Sequence, residues 1–200
     1  MTAIPEDVLN ATIEICTDDP LLVSAAATAP SDRLTALGWR PMAETDRALF
    51  VDFVSLTEAA IGLHGEGTTE VGDEAIAFFE DTSSFAENTF QSEFRNGRVY
   101  FHGTDSMLKI VASDRECQIV TGPGPAAERL FTSIPQGSWK TASFPILEYR
   151  MKPEARQTGG IHEAAYIYGD NAAQILEREV PPAFRFLVAA RAPNSTPRAI

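Results

Sequence analysis

The order of elements in this chain predicts an α+β fold: an acidic, helical N-terminal half packed on a mainly antiparallel sheet formed by the C-terminal half. Apolar residues recur at helical spacing up to about residue 96 and alternate in short β-rich runs after Gly97. Charge divides at nearly the same place: residues 44–93 carry twelve acids against the single base Arg47, and residues 94–200 carry a net +3. Two hundred residues with 44% hydrophobic and 22% charged content suffice for one ordinary globular core. We therefore expect a single α+β domain over 1–200, helical to about 96, sheet from about 97 to 191, with a frayed tail at 192–200.

The first helix is expected from Pro5 to Asp18. A proline near the first turn followed by Glu6 and Asp7 suits a helix N-terminus, and Val8, Leu9, Ile13 and Cys16 give an apolar stripe. The run Thr12–Thr17 also fits an alternating strand. Leu21–Ala29 reads as a packed helix closed by Pro30. Ser31 is placed to cap a short helix over Asp32–Leu37, with Gly38 in the left-handed exit position and Trp39 plugging the core. Pro41 prevents helix from continuing.

Thr45–Leu63 carries the strongest helical signal. Leu49, Phe53, Leu56, Ala60 and Leu63 form a seam, Asp46, Asp52 and Glu58 lie off it, and Thr45 is the expected cap. A glycine-rich loop then precedes two further helices, near Asp73–Asp81 and from about Ser84 to Phe94, with Phe85, Phe90 and Phe94 facing inward. Asn96-Gly97 stops the second.

Three β-rich runs follow: Val99–His102, Met107–Val111 and Cys117–Val120, joined by Gly103-Thr-Asp-Ser and Ser113-Asp-Arg-Glu turns. Pro125 opens a short helix. Strands are expected within Thr141–Met151, at Gly160–Tyr168 and at Phe184–Ala190, with a short helix from Asp170 to Val180 before the last. On strand Gly160–Tyr168, His162 and Glu163 should point to opposite faces.

The site chemistry is sparse. Gly122–Ala127 matches the spacing G-x-G-x-x-A between a strand and a helix. Pro123 and Pro125 remove backbone donors where a pyrophosphate would need them, and no βαβ unit follows, so the stretch reads as a rigid turn and no cofactor is expected. His64, His102 and His162 are not in zinc-ligand spacing, so no metal is expected. Ser106, Ser113 and Ser138 lack a nucleophile elbow. Paired acids such as Asp18-Asp19, Asp73-Glu74 and Glu80-Asp81 fit capping and solvated charge. Cys16 and Cys117 lie far apart without Cys-x-x-Cys spacing, and read as two small buried hydrophobes in a reducing compartment.

The net charge of −12 excludes a nucleic-acid surface and an anionic membrane face, both of which need clustered Lys and Arg. The first residues show no cationic leader and no stretch is long and apolar enough to span a membrane, so the chain is expected in the cytoplasm. The leading functional expectation is a non-catalytic protein that binds a basic protein partner or self-associates as a homo-oligomer. The alternative is a small-molecule binder or enzyme with a pocket between the Phe-rich helices and the sheet. Its candidate ligand-binding residues are Arg98, Tyr100, His102 and Cys117. No catalytic signature decides between the two.

Overall fold

The computed structural model describes residues 4–18, 30–65, 73–111, 116–134, 147–152, 158–168, 170, 173–174 and 185–191. It is α+β, with its helices concentrated in the N-terminal half and its strands in the C-terminal half. The helices are α1 (Glu6–Asp18), α2 (Pro30–Ala36), α3 (Arg47–Gly65), α4 (Asp73–Asn96) and α5 (Pro125–Ser133). The strands are β1 (Arg40–Pro41), β2 (Val99–His102), β3 (Ser106–Val111), β4 (Glu116–Thr121), β5 (Leu147–Met151), β6 (Gly160–Ile167) and β7 (Arg185–Arg191). The helix expected at Leu21–Ala29, most of the one at Asp170–Val180, the turn at Ser113 and the C-terminal tail lie outside the described residues.

The seven strands form one sheet in the order β1-β2-β3-β4-β7-β6-β5, with every neighbouring pair antiparallel. The final strand is thus interior to the sheet, beside the central strand β4, and is hydrogen-bonded to β4 on one side and β6 on the other. Pro41 sits on the two-residue edge strand β1, a position that tolerates a missing donor.

Helices cover both faces. One face presents Val99, Phe101, Met107, Val120, Ala165 and Ile167 to Phe50, Phe53, Val54 and Leu56 of α3 and to Ala86 and Phe90 of α4. The other presents Tyr100, Leu108, Ile110, Cys117, Ile119, Ala164 and Ala190 to α1, α2 and α5 through Leu9, Ile15, Leu34, Ala126, Ala127 and Phe131. Alternate residues of one strand therefore enter different cores, and strands buried on both sides need not alternate in polarity. Val99, Tyr100 and Phe101 are consecutive and all buried.

Several expectations are corrected. Cys16 and Cys117 are not separate buried thiols but a disulfide with Cα atoms 5.9 Å apart, joining α1 to β4 across 101 residues of sequence. The two helices expected over Asp73–Phe94 are one helix of 24 residues. The Thr82-Ser-Ser run does not break it, because Thr82 and Ser83 both donate to the Phe79 carbonyl, and Thr82 Oγ1 also lies 3.3 Å from the Ser55 carbonyl of α3. Within it Phe90 is buried, whereas Phe85 is 56% exposed. Thr45 does not cap α3; a single 3-10 turn, Glu44–Asp46, leads into it, and the Asp46 carboxylate accepts from the Ala43 N–H at 2.8 Å. Gly38 adopts the left-handed conformation expected of it, at φ 87°, and Trp39 is buried as expected.

Candidate functional site

The four residues expected to bind a ligand do not meet. Tyr100 is buried among the α1 and α2 side chains, where removal from water pushes its hydroxyl above the usual tyrosine value. His102 is half-buried with its ring centroid 5.6 Å from that of Trp39, close against the backbone of Gly38. Cys117 is bonded to Cys16 and carries no thiol to act as a nucleophile. Arg98 lines a hollow near the acidic helices.

That hollow has a volume of about 360 Å³ and lies where the end of α4 meets β3 and β4. Glu58 comes from α3, Glu93 and Asn96 from α4, Arg98 from the loop before β2, Lys109 from β3 and Gln118 from β4. Asn96-Gly97 ends α4, with Gly97 at φ 63°, and turns the chain so that Arg98 follows directly. Lys109 pairs with Glu93 at 3.3 Å, both side chains about a fifth exposed. Among the described residues Glu58 and Arg98 have no ion pair. Of the expected residues only Arg98 was legible as part of this hollow. Glu58 and Glu93 look like any solvated helix acid in sequence, and what distinguishes them is which helix ends the sheet brings together.

Among the described residues His162 is the most enclosed titratable group, with 0% exposure. A β-bulge between Ile161 and Glu163 breaks the strict alternation expected of β6. His162 Nε2 lies 3.1 Å from Glu116 Oε2 and 3.8 Å from Glu163 Oε1, so the neighbouring histidine and glutamate approach each other instead of dividing between faces. The other Glu116 oxygen accepts from the Gln118 amide at 3.1 Å.

The glycine-proline stretch shapes a second hollow of about 290 Å³, bounded by Ile4, Leu9, Gly122, Gly124 and Ala126. Pro125 occupies the first position of α5, as expected for a rigid strand-to-helix turn. The walls are largely apolar, and Glu6 places a carboxylate at the rim, opposite in sense to what an anion needs. The strand leading in, β4, has antiparallel neighbours on both sides, so the stretch does not open a parallel βαβ unit.

The acids of α3 and α4 dominate one exterior. Glu44, Glu58, Glu80, Asp81 and Glu87 are exposed. The only base of residues 44–93, Arg47, is engaged by Glu87 at 2.8 Å and stacks 4.8 Å from the Phe90 ring centroid. Phe85 stands on the same helix with Asp81 one turn before it and Asn88 one turn after. Among the described residues no helix is long and apolar enough to cross a membrane, and no group of three or more His, Cys, Asp or Glu is arranged to hold a metal ion.

No family model, curated protein or solved structure matches this chain.

Proposed function

We propose that this protein is a non-catalytic binding protein whose acidic α3–α4 exterior docks a basic protein partner. The observation that carries this is excess exposed acid on a well-packed support. Residues 44–93 hold a net −11 in sequence; Asp46, Glu87 and Glu93 pair with Arg40, Arg47 and Lys109, while Glu44, Glu58, Glu80 and Asp81 stand exposed. Glu80 and Asp81 have no ion pair among the described residues, and the exposed Phe85 ring beside Asp81 offers an apolar anchor within that field. A charged rim around an aromatic anchor suits a partner carrying Lys or Arg beside an apolar residue.

A partner protein fits this surface better than a second copy. Two chains of −12 repel. Of the bases that could answer the acids, Lys109 pairs with Glu93, Arg129 with Glu6, and Arg150 with Glu148 inside the same chain. Nucleic acid and anionic membrane are disfavoured as partners by the same charge. The disulfide favours an oxidising compartment over the cytoplasm expected from composition, because such bonds do not persist in most reducing cytosols.

Selection of a random peptide library on the intact chain tests the docking reading. Enriched peptides should be basic with an apolar residue, and should lose binding to a chain carrying Glu80→Lys, Asp81→Lys and Phe85→Ala. Neutral or acidic winners, or winners indifferent to those changes, would contradict it. Sedimentation of the chain alone should show a monomer at low and high salt. A dimer that dissociates with salt would replace the partner by self-association.

A further inference from the structure

We propose that the polar hollow between the end of α4 and strands β3 and β4 is a binding site for a small zwitterion of the amino-acid type, one carboxylate and one ammonium. This goes beyond the docking reading and does not rest on it.

The hollow's volume of about 360 Å³ is within the range of small-ligand sites. Among the described residues its charged side chains are Glu58, Glu93, Arg98 and Lys109, formally neutral in sum. They are not equivalent. Lys109 and Glu93 satisfy each other at 3.3 Å with both side chains mostly out of water. Arg98, half-buried, and Glu58 have no ion pair among the described residues, so the hollow holds one uncommitted cation and one uncommitted carboxylate. A half-buried guanidinium has lost hydration without a compensating partner, and a ligand carboxylate restores it through up to two charge-assisted hydrogen bonds. Glu58 is exposed, and its carboxylate can accept from a ligand ammonium at the hollow's other side.

The same balance is selective. A nucleotide or polyphosphate would place several negative charges beside Glu58 and Glu93, and a polyamine would place several positive charges beside Arg98 and Lys109. Asn96 and Gln118 add neutral donors and acceptors that can read a short polar side chain without altering the charge match.

The test is isothermal titration of the full chain with glycine, L-alanine, L-glutamine, L-glutamate and L-arginine, each to about 10 mM, so that binding as weak as a millimolar Kd is seen. At least one probe should bind. Its affinity should fall about tenfold or more in Arg98→Met and in Glu58→Gln, and by as much for the matching acid lacking the amine and the matching amine lacking the acid. Both substitutions alter side chains that reach solvent, so far-ultraviolet circular dichroism should be unchanged. Should either fold poorly, Arg98→Lys and Glu58→Asp take their place, and amide shifts in the native chain at residues 93–98 and 109–111 should move with the probe. No binding by any probe, binding that survives both substitutions, or binding equalled by a singly charged analogue would overturn the assignment.

Discussion

At the scale of single residues, the structure depends on a few buried polar groups whose partners come from distant sequence. The Trp39 indole N–H donates to Thr12 Oγ1 at 2.8 Å, and Thr12 in turn donates to the Val8 carbonyl at 2.7 Å. Thr12→Val leaves that indole without an acceptor in the core, which should cost about 1–3 kcal/mol in urea unfolding. Trp39 was legible as a core plug from its place after Gly38, but nothing in sequence identifies Thr12 as its acceptor. Asp46 is a second case. Arg40 donates from both terminal nitrogens to the two Asp46 oxygens at 2.5 and 2.8 Å. These bonds hold the Asp46 carboxyl below the usual carboxylate range, the Ala43 N–H adds to the effect, and burial opposes it. A depressed folded value means stability that is present above the ordinary aspartate value near pH 4 and lost as pH falls through the lowered one. Asp46→Asn should therefore cost on the order of 1 kcal/mol at neutral pH, kept small by Arg40's contact with water, with the difference from the parent vanishing in strong acid. Denaturant midpoints measured across that pH range check both parts. The third case, His162 and Glu163, shows why alternation alone misplaces side chains: one extra residue in β6 reorients them, and a bulge leaves no signature in composition.

At the scale of elements, the long helix α4 and the tie between α1 and β4 are what sequence reasoning missed. α4 read as two helices, near Asp73–Asp81 and from about Ser84 to Phe94, with three hydroxyl residues, Thr82, Ser83 and Ser84, where they meet. The hydroxyls of Thr82 and Ser83 bond inside the helix, and Phe85 is left in water. Truncating the two rings should separate their roles. Phe90→Ala should destabilise by about 3–5 kcal/mol as a core cavity, whereas Phe85→Ala should leave stability within about 0.5 kcal/mol and weaken only binding. The Cys16–Cys117 bond was illegible for a different reason: pairing across 101 residues depends on α1 lying over β4, a tertiary fact. Closing a loop of that length removes much unfolded-state freedom, and the Cys16→Ser, Cys117→Ser double variant should lose about 2–5 kcal/mol. Thiol titration of the denatured, unreduced chain should count no free cysteine.

At the scale of the whole molecule, the fold class followed from the order of the elements, and the strands near Val99, Met107, Cys117, Gly160 and Phe184 occur where apolar runs and turns indicated. Their order in the sheet was not readable, because β7 inserts between β4 and β6 and nothing local announces a partner as far upstream as Thr121 is from Phe186. The charge split was plain in sequence, but its placement was not. The described acids of residues 44–93 belong to α3, α4 and the turn before α3, on one face, while α1 and α2 cover the other with α5. That segregation turns a compositional bias into a surface. The most direct test is the salt dependence of the affinity between the best basic peptide from the library selection and the native chain. The docking account predicts a fall of about tenfold or more between low and high ionic strength, and loss of binding when Glu80, Asp81 and Phe85 are replaced together. An affinity indifferent to salt, or equal for the native and substituted chains, would contradict it.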